Sequence, residues 1–136
     1  REVPASDLQQ LYESVGWTTY AEDLPALVAA IQGSHHVVTA WEGGKLVGLA
    51  RCVSDGVSIA YIQDILVAPN SQRKGLGRRL VQDCLSRYAH VRQKVLLTDD
   101  RPEQLAFYER LGFRNTRELK TTPLNAFVII DGAELS

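Results

Sequence analysis

The chain has 136 residues, 45% of them hydrophobic and 23% charged, a balance that suits one folded domain and excludes a disordered or membrane-embedded chain. A formal net charge of −1 argues against broad nucleic-acid binding, which needs an extensive basic surface. No apolar run approaches the roughly 20 residues needed to span a bilayer, the N-terminus lacks a signal-peptide pattern, and both Cys52 and Cys84 read as core thiols rather than a disulfide framework, so the expected compartment is the cytoplasm.

The chain opens at Arg1 without methionine, which leaves room for an opening strand upstream of a single domain over 1–136. Ser6 is placed to cap a helix whose inner face is Leu8, Leu11, Tyr12 and Val15 and which ends near Gly16. Residues 17–22 read as a loop, and a second helix covers Asp23 to Gln32, with Pro25 tolerated in its first turn. Two strands, His36–Glu42 and Lys45–Val53, are joined by Gly43-Gly44, a hairpin turn in which both residues tolerate positive φ. His35-His36 has no third ligand at metal-site spacing, so no metal is expected.

A third strand, Ser58–Val67, leads into a basic glycine turn and then a helix over about 75–90, with Leu76, Leu80, Val81, Cys84, Leu85 and Tyr88 on its apolar stripe. A strand at Lys94–Thr98 follows, giving a crossover and a parallel pair. Pro102 opens a short helix closed by Gly112, and Phe113–Lys120 with Leu124–Asp131 reads as a final hairpin. The order indicates a mixed-sheet α/β (α+β) domain without repeats.

The turn sits where an anion would bind: the first N–H groups of a helix lack carbonyl partners and the macrodipole is positive there. Gly75 and Gly77 allow close backbone approach, and Arg73, Lys74, Arg78 and Arg79 add charge. A nucleotide-hydrolysing P-loop is excluded because no Gly-Lys-Ser or Gly-Lys-Thr is present. A dinucleotide loop is disfavoured because Leu80 stands where the third glycine belongs and antiparallel hairpins precede it, although Asp99 and Asp100 lie about where a ribose-binding acid would.

A third pattern remains. Gln72-Arg73-Lys74-Gly75-Leu76-Gly77, after Leu66-Val67-Ala68-Pro69, resembles the coenzyme A pyrophosphate loop of the GNAT superfamily of N-acetyltransferases, and Phe107-Tyr108-Glu109-Arg110-Leu111-Gly112-Phe113 resembles that superfamily's second signature. The resemblance implies a mostly antiparallel twisted sheet flanked by about four helices, with a splayed parallel strand pair holding acetyl-CoA as donor substrate. It implies that the loop from Gln72 to Arg78 holds the pyrophosphate. The pantetheine arm would run beside Ile65 and Val67, with the amide of Leu66 or Val67 polarising the thioester and Tyr108 protonating the departing sulfur. Arg101 stands where the superfamily often has asparagine, either facing solvent or pairing with the coenzyme's phosphates.

Asp64, the only carboxylate in its strand, is the candidate base, acting directly or through water; desolvation would suit it to proton removal, and satisfying backbone amides at a bulge is its structural alternative. Trp17 and Tyr20, with Tyr61 and Gln63 on one face of the third strand, are candidate acceptor contacts, the first two equally readable as core anchors. The implied reaction is direct transfer to a primary amine, most simply a small molecule, with a protein lysine or N-terminus, or a non-catalytic coenzyme-binding module, as alternatives. Members of the superfamily are often dimers, so the resemblance also allows a homodimer.

Overall fold

Three short helices open the computed structural model, which describes residues 2–133: α1 (Ala5–Ser14), α2 (Thr18–Glu22) and α3 (Leu24–Gln32). Helix α1 starts one residue before Ser6, its first turn set by Pro4, whose carbonyl accepts from Leu8, so Ser6 lies inside that turn and caps nothing. Residues 18–22 form a helix where the sequence suggests a loop. Five residues are too few to show a period; the turn is stabilised by burial of Ala21 and by the Gln9 side-chain amide, which donates to the Ala21 carbonyl at 3.2 Å. Asp23 caps α3 by accepting from the Ala26 amide at 3.1 Å.

The sheet follows, as β1 (His36–Glu42), β2 (Lys45–Ser54), β3 (Ile59–Val67) and, after α4 (Leu76–Arg87), β4 (Gln93–Leu96). The order is β1-β2-β3-β4, with the first two pairings antiparallel and β3-β4 parallel. Gly43 and Gly44, at φ 57° and 78°, make the β1-β2 turn. β2 is buried from Leu46 to Cys52, so it reads as an apolar run interrupted by one charge, Arg51. One face of β2 meets the helices α1 to α3 through Val47 and Leu49, packed with Leu8, Leu11, Tyr12 and Leu27. The other meets α4. There a Cβ on Gly48 would stand 3.2 Å from Leu80 Cδ1 and 3.3 Å from Ala40 Cβ, and the Cys52 and Cys84 thiols are buried.

Opposed residues in a sheet share a face, so register shows which side chains meet. In the β2-β3 pair Cys52 opposes Ile62 but Arg51 opposes Asp64, leaving Gln63 as an extra residue. The slip puts Tyr61, opposite Val53, on the same face as Asp64, opposite Arg51, although Asp64 is the third residue after Tyr61. Tyr61 and Gln63 therefore do not form the shared face that simple alternation suggests.

The chain divides into two compact units at Leu97/Thr98. The second contains α5 (Pro102–Arg110) and a 3-10 turn at Thr116–Glu118. No strand forms among its described residues, so the expected final hairpin is absent. Its first arm is interrupted by Asn115, whose side chain accepts from the Arg117 amide and caps the turn. A strand needs a ladder partner, and without that arm the residues from Leu124 to Ile130 form no regular structure, with Phe127 93% and Ile129 92% exposed. Among the described residues no helix is long and apolar enough to cross a membrane.

Gly48→Val should overpack the β2-α4 contact and cost about 1–3 kcal/mol of unfolding free energy, measured by urea denaturation.

Candidate active site

The glycine turn is built as an anion cradle. Arg73 is at φ 66°, Gly75 at φ 79°, and Lys74 between them has no positive φ, so the sign alternates into the first helical residue, Leu76. Such alternation turns successive N–H groups toward one concavity. Gly75 is the N-cap of α4 and no side chain caps the helix, so its first-turn amides, Gly77 among them, are left to an outside acceptor. Arg73, Lys74 and Arg78 are exposed around this end, while Leu76 packs against the core cluster. Gln72 is engaged internally, its side-chain amide donating to the Val67 carbonyl at 3.0 Å and tying the loop to the end of β3.

Beside the cradle the sheet opens. The parallel pairing ends at Ile62 opposite Leu96, while β3 continues through Val67. The Ala68 amide donates to the Val47 carbonyl on β2. Backbone groups alternate along a strand, so those of Leu66 point to β2, and those of Ile65 and Val67 point to the side that β4 has left. Of the two amides anticipated for a thioester, Val67 faces the open edge; Leu66 is turned into the sheet and its side chain into the core.

Asp64 is 2% exposed and held from two sides on one oxygen. Arg51 Nε donates to Oδ2 at 2.6 Å and the Tyr12 hydroxyl to the same atom at 3.0 Å; Arg51 Nη1 also donates to Ser34 at 3.3 Å. Burial first, then Asp64, pushes the Tyr12 phenol far above its ordinary range. Tyr61 is half-buried and raised by burial, Asp64 and Tyr20 in that order. Trp17 and Tyr20 pack on Tyr12, with ring centroids 5.8 and 5.7 Å away, and on each other at 6.3 Å. Both serve as core anchors, and Tyr20 still lies within electrostatic reach of Arg51 and Tyr61. Gln63 is exposed at the bulge.

In the second unit, Tyr108 lies on α5 with Phe107 and Phe113 at its edges, at 5.0 and 5.9 Å. Burial, and secondarily Asp99, pushes its phenol up to about 12, so it carries its proton at neutral pH. Among the described residues nothing takes its hydroxyl in a hydrogen bond. Arg101, exposed, donates to Asp99 at 3.0 Å and lies 3.9 Å from Glu103.

His35 meets Tyr88 at 2.7 Å and His36 meets Asp83 at 2.9 Å. Contact with Cys52, and then burial, pushes the Cys84 thiol well above its usual range, unlike a nucleophile. Sequence reasoning missed Tyr12, Arg51, Ser71 and Glu42. For Arg51 a signal existed: it is the one charge within the apolar run Leu46–Val53, antiparallel to another apolar strand whose single charge, Asp64, has the opposite sign.

Residues 13–122 match the model of the acetyltransferase (GNAT) domain family. The chain is 36% identical over 115 residues to an uncharacterized N-acetyltransferase ycf52 of Gracilaria tenuistipitata var. liui, covering 79% of this chain and 60% of that protein. It is 33% identical over 134 residues to the chloroplastic GCN5-related N-acetyltransferase 2 of Arabidopsis thaliana, covering 82% and 50%. The chain thus spans about half to three-fifths of the length of these two relatives. Among solved structures, a GNAT family acetyltransferase of Streptococcus pneumoniae superposes with a TM-score of 0.81 at 29% identity, covering 97% of this chain and 94% of that one.

Asp64→Leu should cost about 3–5 kcal/mol by stranding the Arg51 charge in the interior, and Arg51→Met with Asp64→Leu should cost less than Asp64→Leu alone, both read from urea unfolding. The raised Tyr108 phenol favours the fold fully below its ordinary value of 10.0, and that contribution is lost as pH rises toward about 12. The melting-temperature advantage of wild type over Tyr108→Phe should accordingly shrink between those two pH values and be constant below them.

Proposed function

The chain belongs to the GNAT acetyltransferase family, and from that premise we propose that it moves an acetyl group from acetyl-CoA to a primary amine of a small molecule, by direct attack in a ternary complex. The observation that carries this reading is the uncapped N-terminus of α4, with the alternating backbone of 73–76 and its basic side chains, lying next in the chain to a strand whose edge is open from Gln63 onward. Those groups match a pyrophosphate followed by a pantetheine arm able to hydrogen-bond an extended backbone.

When bound, acetyl-CoA would supply the acetyl group activated as a thioester. The amides of the first turn of α4 and the cations Arg73, Lys74 and Arg78 would hold the pyrophosphate, with Gln72 bracing the loop. Ile65 and Val67 would align the arm, and the Val67 amide would donate to the carbonyl oxygen on which charge develops. Attack of the amine nitrogen on the carbonyl carbon would displace the thiolate, and Tyr108 would be the residue to give its phenolic proton to the sulfur. Its proton-bearing phenol supports that role.

Asp64 enters as a positioning residue, because Arg51 and Tyr12 both engage its Oδ2; the amine proton then leaves to water beside Tyr61. The acceptor lies on the face carrying Tyr61 and Asp64, with Trp17 and Tyr20 as the wall behind. One internally paired charge on a half-buried aromatic surface supports a small amine over a polycationic peptide. Arg101 is held by Asp99, which supports a local role at the start of α5. The exposed apolar stretch Leu124–Ile130 supports a homodimer, and the two thiols support the cytoplasmic placement as part of the same reading.

Incubation with acetyl-CoA and separate panels of small amines and lysine peptides, with release of free thiol followed, should show turnover in the first panel. Turnover confined to peptides selects a protein acceptor, and binding without turnover selects a coenzyme-binding module. Tyr108→Phe should lower kcat about 100-fold with KM for acetyl-CoA nearly unchanged. Asp64→Asn should leave the inflection of kcat/KM against pH in place; a displaced inflection would assign the amine proton to Asp64.

A further inference from the structure

Glu42 is the last residue of β1, immediately before the Gly43-Gly44 turn, yet its carboxylate reaches a loop 29 to 32 residues further along the chain. Ser71 Oγ donates to Oε1 at 2.7 Å and Lys74 Nζ to Oε2 at 3.2 Å. Ser71, then Lys74, holds the Glu42 carboxyl below its ordinary range. The two contacts differ in weight. The ion pair is exposed on both sides, where such pairs contribute little. The Ser71 hydroxyl belongs to a residue only 3% exposed, and a buried hydroxyl deprived of its acceptor is costly.

Between these contacts lies Arg73, the only non-glycine residue with positive φ among those described. A conformation of this kind persists where its surroundings over-determine it. On one side of Arg73 the constraint is Gln72, bound to the Val67 carbonyl. On the other it is Lys74, held with Ser71 by a single carboxylate from another strand.

We propose that Glu42 is a positioning residue for the pyrophosphate loop: it anchors the end of the 3-10 turn Pro69–Ser71 and holds Lys74 at the cradle, so that the alternating backbone of 73–76 is assembled before the coenzyme arrives. This rests on the assignment of that loop to the pyrophosphate. The carboxylate touches neither the thioester nor the acceptor, so its effect falls on coenzyme affinity and not on the chemical step. It also explains an acidic side chain beside an anion site, where a free carboxylate would only repel.

The test is the dissociation constant of coenzyme A, by calorimetry on the whole chain, together with kcat and KM for acetyl-CoA using an amine that the wild type turns over. Glu42→Ala should weaken binding about tenfold, equivalent to about 1.4 kcal/mol, with kcat within about twofold. Glu42→Gln should recover most of the loss, because its amide oxygen can accept from Ser71. Ser71→Ala should match Glu42→Ala, and the double variant should be no worse than either single one. Unchanged binding in Glu42→Ala, additive losses in the double variant, or a loss in kcat instead of KM would each overturn the proposal. Gly77→Asp separates the premise: it places a carboxylate in the cradle and should abolish binding. If Gly77→Asp binds coenzyme A normally, the pyrophosphate assignment and the role of Glu42 both fall; if it loses binding while Glu42→Ala keeps it, only the role of Glu42 falls.

Discussion

Arg51 and Asp64 are opposite charges on neighbouring central strands, removed from water and joined at 2.6 Å. A pair this deep gives little net stability compared with apolar residues of the same volume, but it is intolerant of separation. That intolerance sets register. A one-residue slip of β3 on β2 would send either charge to the opposite face of the sheet, against α4, and away from the Tyr12 hydroxyl that completes the carboxylate. The pair therefore holds the bulge at Gln63, and the bulge determines which backbone groups of β3 beyond it face outward. The open edge at Ile65 and Val67 depends on a contact that takes no part in binding.

The two anchors of the glycine turn act on the same principle from outside the core. The Gln72 amide, reaching back five residues, and the Glu42 carboxylate, reaching across from β1, are polar and partly wet, and each is weak alone. Together they hold a backbone that would otherwise sample more open conformations, so its ordering precedes binding and is not subtracted from affinity when an anion arrives. Helix and cradle share one device: the missing side-chain cap that leaves the first turn of α4 unsatisfied is what makes its amides available.

Much of this was legible because it is local. The glycines of the β1-β2 turn, Pro25 in the first turn of α3, the apolar stripe of α4 and the basic glycine turn each declare a backbone conformation within a few residues. What escaped is decided at a distance. Helix α2 exists because Ala21 and Tyr20 pack on α1, and no five-residue window contains that fact. Ser6 has the side chain of a cap, but Pro4 begins the helix first. The phase change at Gln63 is set by a pairing across strands, so alternation grouped Tyr61 with the wrong partner. Glu42 reads as an ordinary charge before a turn because its partners come about thirty residues later. The final hairpin failed differently: both segments have strand composition, and Asn115 used its side chain to close a turn inside the first.

The segment from Leu124 to Ile130 consequently has a bearing on the material behaviour of the protein. It is seven residues without a charge or a proline, ending in Phe-Val-Ile-Ile, and its side chains are exposed, with the Ile130 carbonyl engaged by the Ala133 amide. Pro123 and Asp131 bracket it as gatekeepers, one unable to donate to a ladder and the other repelling a stacked copy of itself. With a net charge of only −1, long-range repulsion offers little further protection near neutral pH. Pro123 and Asp131 are thus the two residues placed to limit strand-like association of this segment.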